Sequence, residues 1–196
     1  MSRGRRVACL VRSGDPRRSD VIQRLDGLGL WQDHYAGQLE IVAGDLAEPS
    51  LLRIDRPVYD ELALRAGAIV HCAAWVNHVF PYDVLAEANA HSAAAILELA
   101  VTKHRKPVTF VSSGGVFEPS HYPVGTEIAA GPLTGFPPEC DGYGRSKAVA
   151  EAHFARAAEG GASVSVVRIP SIFGDRDARA ASRTATPSGA GPRPFS

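Results

Sequence analysis

Val108-Thr109-Phe110-Val111-Ser112-Ser113-Gly114-Gly115 is an apolar, β-branched run that ends in small polar residues, and Tyr143-Gly144-Arg145-Ser146-Lys147 opens an alanine-rich stretch with helical spacing. The first stretch reads as a buried strand whose carboxyl end opens into a site. The second puts Tyr143 and Lys147 four residues apart, on one helical face. An ammonium beside a phenol favours the phenolate, so the Tyr143 pKa is expected to fall. A serine hydroxyl at the strand end can hydrogen-bond the same substrate oxygen. Such a set gives a proton to a carbonyl. A tyrosine and a lysine at this spacing also occur as a half-buried aromatic and a solvated charge. Here the strand-end serine, the intervening loop and the α/β alternation on both sides favour the chemical reading.

Working outward, four more apolar runs read as strands, Val7–Val11, Leu39–Ala43, Ala68–Cys72 and Val164–Pro170. Helical periodicity lies between them. Val21, Ile22, Leu25 and Leu28 make one pattern, with Ser19 as its N-cap. Tyr59–Arg65 is a short helix; Asp83–Ala100 is a long one with a stripe of Leu85, Ala88, Ile96, Leu97 and Ala100. Ala148–Ala158 continues the Tyr143 helix until Gly160-Gly161 stops it. Strand and helix in alternation predict an α/β fold with a doubly wound parallel sheet.

The chain has 196 residues and formal net charge zero, so bulk electrostatics predict neither a nucleic-acid nor an anionic-membrane partner. No apolar run reads as a membrane span, and the basic start before Val7 is not followed by a signal-peptide core. Cys9, Cys72 and Cys140 are an odd count without metal-ligand spacing, which predicts no metal site. Cys9 and Cys72 sit in apolar runs and read as core residues in a reducing, cytoplasmic setting. Lys103-His104-Arg105-Lys106 reads as a solvated basic turn. Arg12, Arg17 and Arg18 follow the first strand. They are either a solvated turn or a phosphate clamp. At this strand end a dinucleotide fold meets the adenosine ribose, and an Arg there accepts a 2′-phosphate. Arg12 is the best candidate, which favours NADP over NAD.

Val111-Ser112-Ser113, Tyr143-x-x-x-Lys147, Arg168-Ile169-Pro170 and Ile172-Phe173-Gly174 resemble the extended short-chain dehydrogenase/reductase superfamily. Ala73-Ala74-x-Val76-Asn77-His78 with Tyr82, Cys9-Leu10-Val11-Arg12, Gly44-Asp45-Leu46-Ala47-Glu48-Pro49 and the Gly29-Leu30-Trp31 turn are similar to the thioester reductase family. That family comprises terminal reductase modules of non-ribosomal peptide synthetases and carboxylic acid reductases. The likeness runs from about Val7 to about Gly174. It implies a reductase that uses NADPH to take an acyl thioester, carried on the phosphopantetheine arm of a carrier protein, to an aldehyde or alcohol. It also assigns roles. Ser113 rather than Ser112 would be the hydroxyl donor, because it stands three residues before Val116. Tyr143 would donate to the carbonyl oxygen, and Lys147 would lower its pKa and hold the nicotinamide ribose. Arg12, Asp45, Leu46, Ala73, Ala74 and Asn89 would complete the cofactor site, Asn89 by bonding backbone nearby. A sugar epimerase or dehydratase of the same superfamily, and a non-catalytic remnant, stand as alternatives.

One expected element is missing. No glycine-rich turn precedes Val7, so the five strands correspond to the second through sixth of the usual order, a Rossmann-like sheet lacking its first strand. The Val7 and Ala68 strands are then left with open edges, or close directly on each other. Residues 1–174 read as a partial NAD(P)-binding domain and 175–196, poor in large apolar residues, as a disordered tail. The expectation is a truncated or degraded copy, with a tail from a shifted reading frame.

Overall fold

A computed structural model describes residues 5–12, 20–48, 50–117, 122–123, 125–128, 130–133 and 140–170. All five strands form: β1 Val7–Arg12, β2 Leu39–Gly44, β3 Ile69–His71, β4 Val108–Ser113 and β5 Val164–Ile169. The helices are α1 Asp20–Gly27, α2 Arg56–Arg65, α3 Tyr82–Ala86, α4 Ser92–Val101 and α5 Gly142–Glu159. Ser19, the segment Ile172-Phe173-Gly174 and the tail expected from 175 lie outside the described residues.

Every pairing is parallel, but the strands fall into two sheets, β1-β2 and β3-β4-β5. Of the two outcomes expected without a central strand, open edges are the one observed. Among the described residues β1 pairs only with β2, and β3 only with β4. One core still spans both sheets. Val42 of β2, Phe110 of β4, Tyr59 of α2, Ile96 and Leu99 of α4 and Phe154 of α5 are buried in a single cluster, with Leu10 and Ile69 packed on it. The Phe110 and Phe154 rings stack at 4.6 Å.

The strands differ in how deeply they sit. β4 alternates buried and half-buried, with Val108, Phe110 and Ser112 on the inner face. β1 and β5 contain no fully buried residue, which for the apolar Val7–Val11 run departs from the buried, parallel-type strand expected. The cysteines read as core residues depart from expectation too: Cys72 is exposed and Cys9 only half-buried.

The helix expected over Asp83–Ala100 runs from Tyr82 to Val101, with a π-helical turn, Glu87–His91, between α3 and α4. By length and composition this 20-residue helix could cross a membrane, which the apolar-run reading did not anticipate. Its most apolar window is 56% buried within the protein, the position of a core helix. Its end corrects the basic-turn reading. Lys106 is buried, and its Nζ donates to the carbonyls of Leu99 at 3.1 Å, Thr102 at 2.7 Å and His104 at 2.9 Å. A lysine thus satisfies carbonyls that a helix end leaves without partners.

Candidate active site

The carboxyl end of β4 and the first turns of α5 meet because two glycines let them. A side-chain carbon at Gly144 would overlap the Gly115 carbonyl, and one at Gly142 would overlap the Phe80 carbonyl. α5 therefore starts in contact with both the loop after β4 and the loop after β3. Asp141 is its N-cap, accepting the Gly144 N–H through Oδ1 at 2.6 Å.

Tyr143 and Lys147 lie on the buried face of α5. The Lys147 ammonium sits 4.2 Å from the centre of the Phe110 ring and donates to the Val111 carbonyl at 2.7 Å. Burial pulls its pKa down to about 8, against a smaller upward pull from Glu151. Tyr143 corrects the expectation of a lowered pKa. Burial first, and the Asp141 carboxylate second, push its pKa up from the ordinary phenol value. No hydrogen bond joins its hydroxyl to Lys147 or Ser113 among the described residues. The ammonium is engaged with the strand carbonyl, so desolvation decides the phenol's pKa.

Ser113 is half-buried and caps the 3-10 turn Gly114–Val116, accepting the Gly115 N–H at 3.0 Å. Ser112 faces the core, and its buried Oγ has no partner. Asn89 sits in the π turn, almost fully buried. Its Oδ1 accepts the Trp75 N–H at 2.6 Å, and its Nδ2 donates to the Trp75 carbonyl and to Ser146 Oγ, each at 3.0 Å. Ser146 Oγ donates in turn to the Tyr143 carbonyl at 2.8 Å. Asn89 thus ties the loop carrying Ala73 and Ala74 to the helix carrying Tyr143. π turns of this kind concentrate at functional sites.

Arg12 and Asp45 end the neighbouring strands β1 and β2, with Arg12 Nε 3.6 Å from Asp45 Oδ2. The Arg12 side chain is 61% exposed, so the guanidinium stays open to a second anion. Asp45 also accepts the Ala47 N–H at 3.0 Å, and Leu46 packs against the core. Ala73 and Ala74 carry small side chains in the loop that Asn89 ties to α5 through Trp75.

Sequence reasoning used His78 only as part of a family motif, and gave no role to Asp141, Trp75 or Ser146. His78 Nδ1 lies 2.6 Å from Asp141 Oδ2, and its ring meets Tyr143 edge to face. The spacing of Asp141 immediately before the Gly-Tyr-Gly turn was the available signal for the cap. A cavity of about 790 Å³ lies elsewhere, between α5 and β5, beside the buried Arg168–Glu151 ion pair at 2.7 Å. Neither Tyr143 nor Ser113 lines it.

A family model described as male sterility protein, of the NAD-binding kind, matches residues 1–190. Glycine betaine reductase ATRR of Emericella nidulans is 35% identical over 183 residues, 89% of this chain and 14% of that protein. The terminal R domain from the myxalamid PKS-NRPS biosynthetic pathway superposes with a TM-score of 0.74 at 29% identity, covering 86% of this chain and 43% of that one. The reductase domain of a non-ribosomal peptide synthetase from Mycobacterium tuberculosis gives 0.67 at 31% identity, covering 88% and 43%. The chain spans less than half the length of each of these relatives.

Proposed function

This chain belongs to the NAD(P)-binding male sterility and thioester reductase family, and from that membership we propose that it serves NADPH-dependent reduction of an acyl thioester held on a carrier protein. The observation that carries the reading is the placement of Tyr143 and Lys147 on the buried face of α5, over the end of β4 that bears Ser113. When bound, the nicotinamide supplies the hydride. The protein's part is position and polarisation. Tyr143 gives its proton to the oxygen that becomes negative. Ser113, released from its turn, is a second donor to that oxygen. Lys147 holds the ribose beside the ring, with Ala73 and Ala74 leaving room for it. Arg12 takes the 2′-phosphate, and Asp45 and Leu46 border the adenine. Asn89 keeps the Ala73–Trp75 loop and α5 in register. Residues 1–174 act as the nucleotide-binding part.

One observation favours a second reading, a non-catalytic remnant: the parting of β1 from β3, where a dinucleotide fold centres its pyrophosphate. Titration of the purified protein with NADPH, followed by nicotinamide fluorescence, separates the two. Saturable binding with turnover of an acyl-pantetheine thioester is the expected result; no binding at millimolar cofactor would establish the remnant. Tyr143→Phe is expected to lose at least about 100-fold in turnover with cofactor affinity nearly unchanged.

A further inference from the structure

His78 and Asp141 stand beside Tyr143, and the reading above gives their pairing no task. The His78 and Tyr143 ring centroids are 5.2 Å apart at 71°. Three contacts fix this placement. Asn77 Oδ1 accepts the N–H groups of Val79 and Phe80, each at 2.8 Å, closing the turn that carries His78. The Phe80 carbonyl abuts Gly142. Asp141 uses one carboxylate oxygen to cap α5 and the other to hold the imidazole at 2.6 Å. An imidazole that gives its Nδ1–H to a carboxylate carries its lone pair on Nε2. The His78 side chain is 66% exposed, so that nitrogen is open to a bound substrate.

Thioester reduction calls for such a group. Hydride addition and a proton from Tyr143 leave a hemithioacetal, in which the former carbonyl carbon bears both a hydroxyl and sulfur. Its collapse must strip the hydroxyl proton and protonate the departing sulfur. A group that serves both transfers must stand beside Tyr143 and carry a free lone pair, as the His78 imidazole does.

We propose that the His78–Asp141 pair is the proton shuttle for this collapse. Nε2 takes the hydroxyl proton, and the C–O bond becomes C=O. The C–S bond breaks with its electron pair going to sulfur, and the same proton passes from Nε2 to the thiolate. The step is redox-neutral and leaves an aldehyde and a free thiol. Asp141 touches no reacting atom; it is a positioning residue that acts through His78. The inference rests on the thioester-reductase reading.

The test compares two thioesters of one acyl group, one of an alkyl thiol and one of p-nitrothiophenol, with NADPH and the full chain. His78→Gln is expected to slow the alkyl ester about 100-fold. The nitrophenyl ester, whose thiolate leaves without a proton, should lose far less. In single turnovers with a ¹³C-labelled carbonyl, NMR should show a tetrahedral carbon accumulating in His78→Gln and not in the wild type. Asp141→Asn should move both readouts the same way, less far. Wild-type activity combined with equal loss on both esters, or with no accumulation, overturns the shuttle alone. A wild type inert toward both esters overturns the proposed function, and the shuttle with it.

Discussion

Single side chains here are governed by what burial does to charge. His71 is 3% exposed, its Nε2 has no partner, and its ring stacks on Phe110 at 5.3 Å. Burial first and Lys147 second pull its pKa from 6.5 down to about 4. The unfolded chain therefore binds the proton more tightly. The resulting stabilisation is complete above pH 6.5 and is lost as pH falls through that value toward 4. About 3 kcal/mol is at stake, so denaturant unfolding followed from pH 7 to pH 4 should weaken by that order, and His71→Phe should flatten the slope. Lys147 works in the opposite range. Its pKa of about 8 means that the folded state carries a disfavoured charge at neutral pH, relieved as pH rises from 8 toward 10.5. Lys147→Met should raise the melting temperature at pH 7 while removing turnover, a measurable exchange of stability for function. Asn89→Ala strands the Trp75 backbone and Ser146 together and should cost about 2–3 kcal/mol by chemical denaturation.

Among the elements, α5 decides most. Its first turn fits only because residues 142 and 144 lack side chains, and Asp141 caps it. Gly144→Ala would drive a carbon into the Gly115 carbonyl. The helix start must shift, at a cost of about 1–3 kcal/mol, and Tyr143 moves with it. The expected outcome is a larger fall in turnover than in cofactor affinity, read by steady-state kinetics beside fluorescence titration. α5 was legible in the sequence because Tyr143, Lys147, Ala148 and Phe154 recur at helical spacing and Gly160-Gly161 ends it. The π turn at Glu87–His91 was not. Its extra residue is held by the bonds of Asn89 to Trp75 and Ser146, partners 14 and 57 residues away. Lys106 misled for the same reason: a basic run looks solvated until a helix end and the turn after it supply three carbonyls to one ammonium.

For the whole molecule, the consequence of the two-sheet arrangement is a pair of strand edges, on β1 and on β3, without partners among the described residues. Val7 is 42% and Val70 66% exposed beside them. Unpaired apolar edges recruit other strands. Light scattering should therefore rise with protein concentration, and Val70→Lys should suppress it without loss of the fold. The sequence by itself determined the strands, their alternation with helices and the shared helical face of Tyr143 and Lys147, because periodicity and spacing are local properties of the chain. Only the tertiary structure decided that the sheet parts rather than closes, since that depends on how one shared core holds β1 and β3. Only the tertiary structure, too, set the protonation of the site. A charge's environment is built from distant segments, so Tyr143 answers to burial and Asp141 rather than to the lysine one turn away, and His78 gains its carboxylate from 63 residues down the chain.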